Sequence, residues 1–419
     1  MGKQANRWLY LILATVSFLF LGMLYAWSIF RVNLTKIFTD WTVTQMSLTF
    51  TISMITFCGG SILGGQLFRK FQSRTIFLLS AVLLFAGFLG ASYLLKPDNS
   101  SGSLLTLYVF YGGFCGLGVG IGYNSVMSTL VRWFPDKAGL ASGVMLMGFG
   151  GGGLVLGNMV NLLSQSIGLF LTFRIIAVAV AIVLSLAAII VRKPTSDEFA
   201  SLQARKAVSG KSAKTSLAVK NVSPAQVLKS SLFWALFAWL IFTNAGGLLV
   251  INSAALIAAL FTGVAASMGL IVLLFNGAGR LIFGALGDNF GIKVAFLLDS
   301  LCLILAGACL FLSVITGNAL LMFIGLPLVG LSYGGSPALS SVAANTFWGP
   351  ENYSTNFSFT NCSVIPAALF GPMISSALLV QSGGAYNSTF VMLTLFGVVA
   401  LLCGIVIIRK TSSSRRSAQ

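Results

Sequence analysis

Gly284-Ala285-Leu286-Gly287-Asp288-Asn289-Phe290-Gly291-Ile292-Lys293 follows one long apolar run of this chain. A degraded copy, Gly65-Gln66-Leu67-Phe68-Arg69-Lys70-Phe71-Gln72-Ser73-Arg74, follows another such run 219 residues earlier. The copies share the Gly-x-Leu opening, a phenylalanine and a basic end. Their offset is about half of the 419 residues, so the chain reads as two related halves. Each copy forms a short turn between two apolar segments. Such a turn needs glycine for its backbone, and gives Asp288 a helix end to cap or pair with.

Outward from these turns the chain is overwhelmingly apolar. Hydrophobic residues make up 57% and charged residues 8%, too few charges to cover a soluble surface of this size. Lipid must therefore be the main solvent. Roughly 20 apolar residues cross a bilayer core, and by that rule spans lie near 8–34, 45–68, 75–96, 104–131, 138–164 and 169–191. A second six lie near 231–256, 264–286, 293–313, 317–345, 354–380 and 385–408. The predicted organisation is a six-helix bundle over 1–191, a cytoplasmic linker over 192–230, a second six-helix bundle over 231–408 and a cytoplasmic tail over 409–419. Lys3 and Arg7 precede a run too long for a cleaved leader, so it reads as the first span.

A net charge of +17 could suggest a nucleic-acid binder. Here the cations lie at the ends of apolar spans and in the linker, which is an orientation signal instead. With both termini cytoplasmic, twenty lysines and arginines lie inside and only Arg31, Lys36 and Lys96 outside, while Arg174 and Arg280 fall within spans. The expected location is the cell membrane, plasma or inner, crossed many times.

The chemistry available is narrow. The chain has no histidine, and its six cysteines fall in apolar stretches without metal spacing. Neither a metal site nor a cofactor is expected. Gly210-Lys211-Ser212 is similar to the end of a phosphate loop, but position 205 is Arg instead of the required Gly and no strand precedes it. Without an ATP site, any transport would be driven by gradients. The spans offer no carboxylate pair and no activated nucleophile, which argues against an enzyme.

The two turns resemble the signature loop of the major facilitator superfamily, the second copy closely through Gly284, Asp288, Gly291 and Lys293. The first copy, with Gly65 and Arg74, departs from it by Arg69 in place of Asp and Gln72 in place of Gly. Within that superfamily, Arg132-Trp133-Phe134-Pro135-Asp136-Lys137-Ala138-Gly139-Leu140-Ala141-Ser142-Gly143 looks like the oxalate/formate antiporter family. So do Asn6-Arg7-Trp8, Tyr25-Ala26-Trp27-Ser28 and Ser231-Leu232-Phe233-Trp234. That family is related to the monocarboxylate transporters, and both carry small organic anions. The resemblance implies an all-α membrane protein with twelve transmembrane helices in two pseudo-symmetric six-helix bundles. It also implies alternating access around a site at the bilayer midplane.

Arg280 stands about two-thirds through the eighth span. A charge near the middle of a spanning helix costs about 2.5–3.5 kcal/mol even on lenient scales, so it must face a cavity or a partner. Its planar fork matches a carboxylate. Asn276 lies one turn earlier on the same face, and Gly277 and Gly279 keep the vicinity open. The alternative is that Arg280 reaches toward the membrane surface or pairs with Asp299. The resemblance implies a substrate-binding arginine at this position.

The oxalate transporters resemble this chain after Asn352-Tyr353 but carry a lysine where it has Thr360. A dianion would then keep one carboxylate unpaired, which is costly in a dry cavity. A monocarboxylate such as lactate, pyruvate or formate needs one arginine only; an oxalate/formate-type dicarboxylate antiporter is the alternative. Tyr25 and Ser28 in the first span, Tyr123 in the fourth, Tyr333 in the tenth, and Phe359 with Cys362 around Thr360 complete the candidate lining. Each could equally be interhelical glue; the resemblance implies aromatic residues around the anion at Tyr25, Tyr123 and Tyr333. Asp299 is the one candidate for proton coupling, with a capping or interhelical role as its alternative. The expected partners are a small carboxylate, with or without a co-transported proton, and the lipid bilayer; no nucleic acid is expected, and the carrier is expected to be a monomer. A channel or a non-transporting sensor is the competing class.

Overall fold

The computed structural model describes residues 6–208, 221–259 and 265–416, so Gly210-Lys211-Ser212 lies outside the described residues. Among them there is no strand. The chain begins with α1 (Arg7–Leu21), a 3-10 turn (Gly22–Ala26) and α2 (Trp27–Ile37). It continues through α3 (Val43–Lys70), α4 (Ser73–Leu94), α5 (Ser100–Leu107), a π-helical stretch (Tyr108–Cys115) and α6 (Gly116–Trp133). Next come α7 (Ala138–Ile167), α8 (Leu169–Ile190), and the short α9 (Ser196–Val208) and α10 (Pro224–Lys229). The remainder is α11 (Ser231–Ala259), α12 (Ala265–Asn289), α13 (Ile292–Thr316), α14 (Ala319–Trp348), α15 (Tyr353–Asn361), α16 (Val364–Gln381) and α17 (Asn387–Arg416).

Taking the interrupted pieces together, these are twelve spans. Eleven are continuously long and apolar enough to cross a membrane among the described residues. The twelfth is α15 with α16, broken at Cys362 and Ser363. Pro366 causes the break: it has no N–H for the carbonyl of Cys362, which accepts from Ile365 at 3.1 Å in a tightened turn instead. Large apolar side chains such as Val82, Leu162, Ile189, Leu274 and Leu305 point outward. A surface of that kind is stable only against lipid.

The internal repeat is visible in the backbone. Helix α3 ends at Lys70 and α4 starts at Ser73, while α12 ends at Asn289 and α13 starts at Ile292, 219 residues later at both positions. The residue before the second helix differs in φ between the turns. Gly291 has φ 89°, where an L side chain would be strained, whereas Gln72 has φ −70°. The first copy tolerates glutamine because its backbone never enters the left-handed region.

The chain groups into two compact units, Met1–Pro135 with Gly148–Ala204, and Asp136–Met147 with Arg205–Gln419. The start of α7 therefore belongs by packing to the second unit. In the first unit, Phe30 stacks on Phe173 at 5.0 Å and meets Tyr111 edge-on at 5.7 Å. The second unit is cored by Leu303, Leu326, Phe390 and Leu393. There Trp239 meets Phe296 edge-on at 4.6 Å and donates its Nε1–H to Ser300 at 2.9 Å.

The polar segments are helical where local chemistry supports it. Ser223 caps α10 in a capping box with Gln226, and Pro224 sits where its missing N–H costs nothing. Arg192 donates from both terminal guanidinium nitrogens, Nη1 and Nη2, to Glu198 at 2.7 Å, which pulls the Glu198 carboxyl down to about 2. Helix α17 runs on to Arg416, past the expected start of a tail at 409. Lys410 donates to Ser231, and Lys293 to Ser412, each at 2.7 Å. Those bonds tie the last turns to the starts of α11 and α13.

Candidate functional site

Arg280 is 3% exposed. It sits on α12 where the helix crosses the first turns of α7. A Cβ on Gly143 would run into the Arg280 carbonyl oxygen, and Gly139 and Gly284 each occupy the space the other's Cβ would need. The Gly139-x-x-x-Gly143 spacing thus puts two backbones in contact. Close approach brings the carbonyl of Leu146 within reach, and Nη1 of Arg280 donates to it. Nε donates to Oδ1 of Asn276 at 3.1 Å, one turn earlier on the same helix.

Both partners are neutral. Among the described residues Arg280 has no carboxylate partner. Asp299, the fixed anion that could have paired with it, accepts from Ser332 instead, at 3.2 Å. Neutral oxygens orient a guanidinium but leave its charge uncompensated. A buried cation with an oriented fork is suited to bind a carboxylate.

Tyr333 is buried on α14, its ring filling the space beside Gly247 of α11. Pro337, one turn on, has no N–H for the Tyr333 carbonyl, and the Ser336 hydroxyl donates to that carbonyl at 3.3 Å. Ser336 also donates to Asn244 at 2.7 Å. The Ser336 hydroxyl, its single proton shared between these two acceptors, thus ties α14 to α11 and patches its proline gap. Thr360, on α15, accepts from Ser340 of α14 at 2.7 Å and donates to the Phe357 carbonyl. Phe359 is half-buried, as is Cys362, whose thiol donates to the Ser358 carbonyl.

In the first unit Tyr123 and Tyr25 are brought together by a residue the sequence reading did not single out. Phe149 lies 5.0 Å from the Tyr123 ring and 5.3 Å from the Tyr25 ring, edge-on to both. Phe18 and Phe57 complete the cluster around Tyr123 at 5.1 and 5.3 Å. Tyr25 stands in the 3-10 turn between α1 and α2, beside Gly153. The Ser28 side chain is outside the described residues. The missed signal was Phe149 inside the glycine run 148–153, since a large aromatic among glycines marks a point of packing.

The signature-loop residues fall at helix ends. Asp288 accepts from the backbone N–H groups of Gly139 at 2.9 Å and Leu140 at 2.8 Å, and so caps the N-terminus of α7. Arg69 ends α3 in the first copy, and Arg74 lies in the opening turn of α4. In the run from Arg132 to Gly143, Trp133 donates to the Arg192 carbonyl at 2.7 Å. Phe134 meets Trp8 edge-on at 5.2 Å, with Arg7 over its ring. The two family-like stretches at 6–8 and 132–134 are therefore packed on each other. Among the described residues no grouping of three or more His, Cys, Asp or Glu could hold a metal ion.

Twelve apolar spans, one of them carrying a buried, oriented cation, define a multi-pass membrane protein. The chain belongs to the major facilitator superfamily, whose family model matches residues 12–365, and it is a transporter, not an enzyme. It is similar to an oxalate:formate antiporter of Oxalobacter formigenes, at 26% identity over 414 residues covering 95% of this chain and 91% of the relative. It is also similar to YhjX, an uncharacterised transporter of the same superfamily from Escherichia coli K12. That match is 26% identical over 361 residues and covers 84% of each chain. A solved structure of the proton:xylose symporter XylE has the same fold, with a TM-score of 0.75 at 14% identity over 94% of both chains.

Proposed function

We propose that this chain is a secondary carrier of small monocarboxylates, of the lactate, pyruvate or formate class, working by alternating access with Arg280 pairing the carboxylate. One observation carries the reading. A guanidinium 3% exposed has an amide oxygen and a backbone carbonyl as its protein partners, and neither supplies negative charge. A substrate carboxylate supplies it and fits the fork. Thr360 stands where the oxalate transporters carry a lysine, so a second carboxylate would meet a hydroxyl already bonded to Ser340. The aromatic cluster around Phe149 gives the first unit an apolar, polarizable surface suited to a small organic body. In the same reading the carrier lies in the cell membrane with both termini cytoplasmic, as its lysines and arginines favour.

A second reading, exchange of a dicarboxylate for a monocarboxylate, is favoured by the likeness to the oxalate:formate antiporter along nearly the whole chain. One assay separates them. Purified protein in liposomes preloaded with unlabelled L-lactate should take up labelled lactate faster than empty liposomes do. Faster exchange of oxalate than of lactate would favour the second reading, and a channel would show no stimulation. Arg280→Ala should cut exchange by at least about 30-fold, the equivalent of about 2 kcal/mol for removing one partner of a buried charge pair. Arg280→Lys should fail too, because an ammonium lacks the fork. Wild-type exchange by folded Arg280→Ala would refute the site.

A further inference from the structure

Among the described residues of α11 to α16, Arg280 and Asp299 are the only Asp, Glu, Lys or Arg inside a helix and more than two residues from its ends. Asp299 is fully buried on α13. Its Oδ2 accepts from the Ser332 hydroxyl at 3.2 Å, and its Oδ1 has no hydrogen-bond partner. Two glycines of α14 lie between these groups. A Cβ on Gly334 would collide with the Asn276 carbonyl and come within 3.1 Å of the Arg280 amide nitrogen. A Cβ on Gly335 would collide with Asp299 Oδ1 and the Phe283 ring. The backbone that carries Arg280 and the carboxyl of Asp299 therefore lie against consecutive positions of one narrow stretch of α14, about 100° apart around its axis.

Among the described residues, the surroundings of Asp299 offer no other charge. On its own helix the nearest titratable group is the Cys302 thiol, which donates to the Leu328 carbonyl at 3.4 Å. Helix α14 presents Ser332 and Tyr333, and α11 presents Trp239, Thr243 and Asn244. Helix α12 carries Arg280 beyond the glycines and Asp288 near its end. Helix α17 has Cys403 in mid-helix, and its cations, Arg409, Lys410, Arg415 and Arg416, lie in its last eight residues. A buried carboxylate with one hydroxyl donor and no adjacent cation has less support than such a charge requires, and a proton removes that demand.

We propose that Asp299 is the proton-carrying group that couples proton movement to carboxylate transport at Arg280. The proposal rests on the monocarboxylate reading above. With the site empty, Arg280 and an ionised Asp299 sum to zero charge. With one monocarboxylate anion bound, the sum is zero again only when Asp299 holds a proton. The two half-loaded forms carry a net charge, and rearranging them in a low-dielectric interior is penalised. Substrate and proton therefore move together, one for one.

The test uses full-length protein in liposomes, with labelled L-lactate and a trapped pH dye. Counterflow at equal pH reads the carboxylate cycle alone; uptake against an outside-acid gradient reads coupling. Wild type should show both, with acidification of the lumen in step with uptake. Asp299→Asn should keep counterflow within a few-fold of wild type while gradient-driven accumulation falls to the equilibrium level and the dye signal disappears. Retained accumulation in Asp299→Asn would overturn the proposal, as would its loss of counterflow while folded, which would make Asp299 structural. Should that variant not fold, Asp299→Glu is expected to shift the pH midpoint of uptake, and an unshifted midpoint counts against coupling. Wild-type counterflow together with gradient-driven uptake that brings no lumen acidification overturns this proposal alone. Absence of any carboxylate counterflow in wild type overturns the Arg280 reading as well.

Discussion

Replacing Asp288 should loosen the first turns of α7 by a predictable amount. The carboxylate accepts from two consecutive backbone N–H groups, Gly139 at 2.9 Å and Leu140 at 2.8 Å. These are two of the four donors that a helix N-terminus leaves without a partner inside the helix. Losing a cap costs about 0.5–2 kcal/mol. Removing a negative charge from the positive end of a helix adds about 0.3–1 kcal/mol. Asp288 is half-buried, so water replaces part of what is lost, and about 2 kcal/mol is a fair total for Asp288→Ala. Asp288→Asn keeps one neutral acceptor and should lose about half as much.

A change of about 2 kcal/mol multiplies a local opening constant by about 30, and about 1 kcal/mol by about 5. Hydrogen exchange read by mass spectrometry on peptides covering 136–147 measures that constant directly. Exchange there should accelerate by those factors in the order Ala, Asn, wild type, while the far end of α7 is unchanged. Unaltered protection of 138–142 in Asp288→Ala would refute the capping role. Uniform acceleration along the whole chain would instead indicate general destabilisation.

Gly143→Leu should act on the same crossing by sterics, since any Cβ there meets the Arg280 carbonyl. It should raise exchange over 136–147 and weaken lactate binding, measured as loss of the ligand-induced thermal shift; an unchanged shift would contradict the close approach. Lys193 donates to the Phe68 and Phe71 carbonyls at 2.6 and 2.9 Å. Burial pushes its ammonium down to about 8, with Arg132 adding in the same direction. The folded state then binds fewer protons than the unfolded one from about pH 8 up to the ordinary lysine range, so stability should rise with pH across that window. Acylation of Lys193 should follow a midpoint near 8, and a midpoint in the ordinary lysine range would refute the shift.

The sequence alone determined the class of fold and singled out one cation inside a span. Apolar length is a local property, so twelve spans could be counted from composition, and the 219-residue repeat recurs at the same helix ends in the backbone. Arg280 stood out because a charge inside an apolar run needs an explanation wherever the run folds. Its partners could not be read that way. The Leu146 carbonyl is a backbone atom, 134 residues away, brought within reach only because Gly139, Gly143 and Gly284 let two helices touch. Phe149, too, looks like an ordinary core residue until its ring is seen against Tyr25 and Tyr123. Whether Asp299 pairs with Arg280 or with a neighbour depends on helix packing, which gives it the Ser332 hydroxyl of α14 and gives Arg280 the Asn276 amide and the Leu146 carbonyl. Hydropathy is summed along the chain, whereas these contacts depend on helix rotation and crossing, which only the packed structure fixes.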